Sequence, residues 1–275
     1  MLRIGAIPGL GTPHGARDGY NARIMSKPFN DHFRDVARQY ADSRPGYPAA
    51  LFDWLAARCA GRACAWDCGA GNGQASVMLA RDFQRVIATD ASATQIAQAQ
   101  PHARVEYRVV PAEDSGLPDG GVDLVVVAQA LHWFDLDAFY REVRRVTRPG
   151  GLLAAWTYGV MAAEGDAVDE LLQVYYHETV GPWWPAERRH VETGYRDLPF
   201  PFEAVAVPPL SMEAAWNLDQ TLGYLRSWSA TARFAAARGF DPVAELAGRL
   251  ASVWGDARRQ RLIRWPLAIR AGRVV

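Results

Sequence analysis

The chain has 275 residues, 49% of them hydrophobic, which is enough to bury a sizeable core as one large domain or a domain with a lid. Thirty basic and thirty acidic residues cancel, Lys27 is the only lysine, and no basic block marks a nucleic-acid or anionic-membrane partner. Cys59, Cys64 and Cys68 form no CxxC pair, which argues against a disulfide frame or a zinc site and for buried thiols in a reducing compartment.

Residues 1–28 read as a flexible extension in which Pro8 and several glycines break any apolar leader, so a cytoplasmic protein is expected, with Met25 an alternative start. No apolar run is long enough to span a bilayer. Apolar spacing predicts helices over 30–42 and 48–60, interrupted by "RPGYP" at 44–48. Strands and helices then alternate. "ACAWDC" is a short buried strand, "GQASVMLARD" a helix, "RVIATD" a second strand, and "SATQIAQAQ" a helix with Ser92 at its N-cap. "RVEYRVV" follows as a third strand. The unbroken apolar run of "VDLVVVAQ" makes a fourth, covered on both faces. "LDAFYREVRRVT" is an amphipathic helix, "RPGG" a turn and "LLAAWTY" a fifth strand. The alternation predicts an α/β fold with a doubly wound parallel sheet. After about residue 160 the pattern changes to helices over 165–180 and 184–193, a strand in "FEAVAVPPL", a largely helical stretch over 211–254, and a closing strand in "RQRLIRWPLAIRAGRVV".

The chemistry concentrates at "WDCGAGNG", residues 66–73. Gly69, Gly71 and Gly73 stand where the first strand hands over to its helix, the position at which doubly wound sheets bind ligands. Dinucleotide sites use G-x-G-x-x-G and seat a pyrophosphate on the helix N-terminus. Here the spacing is G-x-G-x-G, and Asp67 precedes the first glycine by two residues. A carboxylate there repels a diphosphate and suits a cationic, phosphate-free nucleoside. S-adenosylmethionine (SAM), with its ammonium and sulfonium, fits that description. Asp90 ends the second strand about twenty residues on, where an acid can accept hydrogen bonds from both ribose hydroxyls.

"WDCGAGNGQAS", "ATDAS", "VVPAEDSGLPDGGVDLVVVAQALHWFD" and "RVTRPGGLLAAW" resemble the successive motifs of class I SAM-dependent methyltransferases. The flanking "HFRDVARQYADSRPGYP", "LRSWSATARF" and "WPLAIRAGR" resemble the branch that contains the yeast-type trans-aconitate methyltransferase. The likeness runs from about Phe29 to Val274 and implies a methyltransferase domain over 29–275, with a core at about 62–160 and a lid and closing strands over 161–275. It implies a Rossmann-like sheet of seven strands, the last antiparallel and inserted between the fifth and sixth. It further implies that Asp67, Gly69, Ala70 and Gly71 line the methionine end of SAM, that Asp90 and Ala91 meet the ribose, and that Ala112 and Glu113 flank the adenine. Many relatives carry Asp where this chain has Pro111, so one side-chain contact to the adenine amine is missing here.

"AQALHWFD", after the fourth strand, is expected between cofactor and acceptor, with Ala128 and Gln129 on the methionine portion. His132 is the candidate general base and Trp133 a candidate pocket wall; both also have ordinary structural readings. Tyr40 and Arg44 are candidates to fold over the cofactor, with Arg44 able to grip its carboxylate. Trp183, Trp184, Trp228, Arg226 and Arg233 fall in the lid, where they suit either an organic-acid pocket or simple packing. The expected reaction is methyl transfer from SAM to a small molecule, a carboxylate being one option, with no metal, nucleic acid or membrane involved and the oligomeric state open. An NAD-dependent oxidoreductase and a non-catalytic SAM-binding protein stand as alternatives.

Overall fold

A computed structural model describes residues 45–275. The expected extension over 1–28, the helix over 30–42, and the candidates Tyr40 and Arg44 lie outside the described residues.

Helix α1 (Ala49–Arg58) leads into β1 (Cys64–Cys68), then α2 (Gln74–Leu79), β2 (Arg85–Asp90), α3 (Ala93–Ile96), β3 (Val105–Val109) and β4 (Val122–Ala128). A short 3-10 turn over Leu131–Trp133 precedes α4 (Leu136–Val146) and β5 (Thr147–Tyr158). β1 and β4 are almost entirely buried, as their unbroken apolar runs require. α4 is capped by Asp135, whose carboxylate accepts the Ala138 amide at 3.1 Å. Its apolar stripe, Phe139, Tyr140, Val143 and Val146, faces the sheet. Ser92 caps α3 as expected, although that helix is only one turn long.

The strand order β3-β2-β1-β4-β5 is parallel throughout, and β9 (Arg261–Arg273) adds antiparallel to β5 from Leu152↔Arg273 to Tyr158↔Leu267. β7 (Glu203–Ala204) pairs with β9 on its other side, so the last strand is inserted where the resemblance implies. β1 and β4 adjoin at the centre, and the chain reverses its direction of travel across the sheet between them. The space beyond their carboxyl ends is therefore the switch point at which such sheets bind ligands. One core cluster, including Leu51, Leu55 and Phe83, packs one face of the sheet; another, including Trp66, Phe139 and Val143, packs the other.

The first half of β9 extends past β5 and carries β8 (Ser211–Trp216) and the two-residue β6 (Ala162–Ala163). This corrects the helical reading of 211–216. Met212 is buried and Glu213 exposed, and Trp216 packs on Trp265 and Tyr224 with centroids 5.0 and 5.2 Å apart. The helix begins only at Asn217, where Asn217 and Gln220 form a reciprocal capping box. Conversely, the strand expected over 202–210 shrinks to Glu203–Ala204, because Pro208 and Pro209 have no N–H to give a ladder.

The segment after β5 comprises α5 (Asp166–Val174), which continues as a π-helical turn over Tyr175–Thr179, then α6 (Arg188–Glu192), α7 (Leu218–Arg226), α8 (Ser229–Arg238) and α9 (Pro242–Trp254). Its own core gathers Tyr175, Tyr176, Trp228, Trp254 and Trp265. No helix among the described residues is long and apolar enough to cross a membrane.

Candidate cofactor and acceptor site

Gly69, Gly71 and Gly73 all adopt left-handed backbone angles, φ 70, 56 and 86°, which L side chains adopt only with strain. They are not equivalent. A Cβ at Gly69 would lie 2.5 Å from the Ala130 Cβ, and one at Gly73 would lie 2.2 Å from the Tyr107 hydroxyl. Those two glycines let the loop close against its own fold. A Cβ at Gly71 would meet only Gln95 Oε1 at 3.7 Å, so the turn is open on that side. The Gly69 and Ala70 amides donate to the Thr89 carbonyl at 2.8 and 3.0 Å, which ties the loop to the end of β2.

Asp90 completes that tie. Its carboxylate accepts the Gly71 amide at 2.9 Å and the Ser92 amide at 2.8 Å, holding the glycine turn and the start of α3 at fixed positions. Ala91 beside it is exposed. Asp67 is fully buried at the end of β1. Ser76, on the inner face of α2, donates to its Oδ2 at 2.5 Å, while Oδ1 has no hydrogen-bond partner among the described residues. Burial pushes the Asp67 carboxyl up to about 7, the neighbouring Asp90 charge adds to the rise, and the Ser76 hydrogen bond opposes it. A buried carboxylate with an orphaned oxygen next to a second acid attracts a cation and repels a diphosphate.

The remaining candidates sit around the same strand ends. Glu113 accepts the Asp135 amide at 2.9 Å, so its carboxylate braces the N-terminus of α4; Ala112 is buried beneath it. Ala128 ends β4 opposite Trp156. Gln129 has φ 60°, unusual for a residue with a side chain, and is fixed on three sides. Its amide donates to the Trp156 carbonyl at 2.9 Å, its side-chain nitrogen to the Tyr158 carbonyl at 3.2 Å, and its Oε1 accepts from Thr157 at 2.5 Å. The Gln129 side chain is thus spent on β5, leaving its strained backbone to shape the site.

His132 Nδ1 lies 2.9 Å from the Tyr195 hydroxyl, and the ring stacks at a tilt between Trp133 (4.7 Å) and Tyr195 (5.7 Å). Burial, reinforced by the charges of Arg188 and His190, drives its pKa down to about 3. The imidazole is therefore neutral across the physiological range, and its Nε2 has no hydrogen-bond partner among the described residues. Trp133 is 43% exposed, at the rim. Tyr195 is fully buried with φ 63°, and Arg270 clamps its carbonyl at 2.6 Å and that of Leu198 at 2.6 Å.

Sequence reasoning missed Ser76, Thr157, Tyr195 and Arg188. Ser76 alone carried a local signal, as a hydroxyl on the apolar face of a helix that follows the glycines. Arg188, at the start of α6, donates through Nε to the Tyr176 hydroxyl at 2.9 Å and to Glu192 at 3.1 Å, and stacks on Trp184 with its guanidinium carbon 4.5 Å from the ring centroid. Among the lid candidates, Trp228 packs between Tyr176, Trp184 and Tyr224 in the lid core. Trp183 packs on Phe234, and Arg226 pairs with Asp241 on the surface at 3.0 Å.

Residues 66–155 match a family model described as a methyltransferase domain. A methyltransferase-family protein of Dictyostelium discoideum is 37% identical over 221 residues, 79% of this chain and 84% of the relative. A methyltransferase of Aspergillus candidus is 28% identical over 208 residues, 66% of this chain and 64% of the relative. A solved type II methyltransferase-family structure from Anaeromyxobacter dehalogenans shares 50% identity and superposes with a TM-score of 0.81, covering 84% of this chain and 98% of that one. Fold, strand-end geometry and relatives agree: the chain belongs to the class I SAM-dependent methyltransferase family.

Proposed function

We propose that this protein transfers the methyl group of SAM to a carboxylate oxygen of a small organic acid, in the cytoplasm and without a metal. The observation that carries the reading is the buried Asp67 with its orphaned oxygen, set beside a glycine turn whose ligand side is open at Gly71. SAM, when bound, supplies a methyl carbon on a positively charged sulfur that leaves readily. Asp67 fits the cationic methionine end, Gly71 admits the close approach, and Asp90 presents a carboxylate to the ribose from the end of β2. Ala112 and Glu113 border the adenine side.

The chain's remaining task is to align the acceptor and exclude water. His132 bears on which acceptor atom is served. A histidine whose conjugate acid has a pKa near 3 is a poor proton acceptor at neutral pH, where an efficient base titrates close to 7. A carboxylate brings no proton to remove, so its methylation to an ester would need no base. His132, held by Tyr195, then orients the acceptor through Nε2, and Trp133 walls the mouth. The flanking likeness to the trans-aconitate branch supports an organic acid, and the zero net charge of the chain supports a small molecule over nucleic acid or membrane.

Incubating the protein with methyl-labelled SAM and panels of carboxylic acids, phenols and amines tests this. Base-labile methyl esters are expected. Label entering only phenols or amines would overturn the acceptor class, and no incorporation into any panel would favour a non-catalytic SAM binder.

A further inference from the structure

Arg188 is the least accounted-for charge near the strand ends. Its side chain is 20% exposed, lies against the rings of Trp184 and Tyr176, and is restrained from behind by Glu192, whose carboxylate also takes the Tyr176 hydroxyl. Both hydrogen bonds of the guanidinium leave from Nε. The two terminal nitrogens, four N–H donors, have no acceptor among the described residues, yet neither is sealed from solvent. They form a planar fork of fixed orientation, the geometry that matches a carboxylate through two parallel hydrogen bonds. Tyr176 belongs to the π-helical turn over Tyr175–Thr179, a local departure from α-helix that often marks functional positions. The Arg188 charge acts to lower the pKa values of His132 and Tyr195, so the guanidinium lies within electrostatic reach of both.

We propose that Arg188 is the acceptor-binding residue, its terminal nitrogens gripping a carboxylate of the substrate while Trp184 and Tyr176 hold the guanidinium flat. This rests on the methyl-transfer reading above and deepens it by naming the anchor. A nucleophilic oxygen of a second carboxylate of the acid then faces the methyl donor. Glu192 fits the role of support: it neutralises the buried cation without covering its outer edge. A surface ion pair with no further purpose would bring its terminal nitrogens to the carboxylate, the better bidentate geometry, instead of leaving them unpaired.

Benzoate, benzamide and phenyl phosphate, titrated calorimetrically with and without S-adenosylhomocysteine, test the proposal on the intact protein. Wild type is expected to bind benzoate at least tenfold more tightly than either of the others. Arg188→Gln should weaken benzoate by about 10- to 100-fold, the worth of a charge-assisted hydrogen bond or pair. Arg188→Lys, which keeps the charge and loses the fork, should fall between. Unchanged S-adenosylhomocysteine affinity in both variants establishes that they are folded; should Arg188→Gln fail to fold, Arg188→Lys carries the comparison. Equal benzoate affinity in wild type and variants, no benzoate binding by wild type, or preference for phenyl phosphate would each overturn the proposal. Failure of wild type to bind S-adenosylhomocysteine would refute the methyltransferase reading instead, and the arm without that ligand still reads Arg188.

Discussion

Replacing Asp67 with Asn should stabilise the ligand-free protein and weaken its cofactor binding. Burial raises the Asp67 carboxyl from an ordinary 3.8 to about 7. Between those values the unfolded chain has lost the proton and the folded chain keeps it, so folding stability falls as pH rises through this window. Above about 7 the whole penalty is present. The gap corresponds to roughly 4 kcal/mol at 1.36 kcal/mol per pKa unit. That is an upper bound, because Ser76 donates to the ionised form and Asn must satisfy the same buried site. Taking half, ~2 kcal/mol, predicts a Tm increase of about 4–8 °C at pH 8 for a domain of this size. The variant should also lose the pH 4–7 slope in ligand-free stability. Because a cation favours the ionised carboxylate, S-adenosylhomocysteine binding by wild type below pH 7 should release protons, visible as buffer-dependent heats in calorimetry. Asp67→Asn should abolish that release and reduce affinity about tenfold or more. A lower Tm at pH 8 together with unchanged affinity would contradict this role for Asp67.

Asp90→Ala should weaken S-adenosylhomocysteine about 10- to 100-fold by calorimetry, because it removes the proposed ribose acceptor and also frees the Gly71 amide. Gly71→Ala and Gly73→Ala should separate binding from stability. Both strain a left-handed backbone by about 1–2 kcal/mol. Only Gly73→Ala also collides with Tyr107, so it should show the larger Tm loss, whereas Gly71→Ala should lose affinity beyond its modest loss of Tm. His132→Ala should raise the KM for a carboxylate acceptor about 3- to 10-fold, because it removes the orienting Nε2 contact, while kcat changes little. The wild-type rate on that acceptor should show no inflection near pH 6.5, because a group titrating near 3 is neutral throughout the assay range. An inflection near neutrality that vanishes in the variant would contradict that role.

The parts of the fold visible in the sequence were those whose cause is local. The apolar runs of β1 and β4, the glycines between β1 and α2, and the acid ending β2 each announce burial, a turn or a ligand through neighbouring residues alone. Ser211–Trp216 misled because six residues with apolar groups at both periods suit helix or strand, and the partner that decides, β9, lies about fifty positions away. The site's second half was not visible at all. Tyr195 meets His132 across 63 residues and Thr157 meets Gln129 across 28, while Arg188 lies 56 positions beyond His132 in sequence. No spacing rule links residues brought together by topology. The lid tryptophans illustrate the converse: their aromatic richness suggests a pocket, while most of it is packing, as for Trp228 and Trp254.

The turn at 67–73 is expected to accept a cationic sulfur nucleoside and to refuse a diphosphate. Parallel calorimetric titrations of the wild-type protein with SAM and with NAD test it most directly. Saturable SAM binding in the micromolar range with no measurable heat from NAD is predicted; NAD binding as tight as SAM, or tighter, would contradict it.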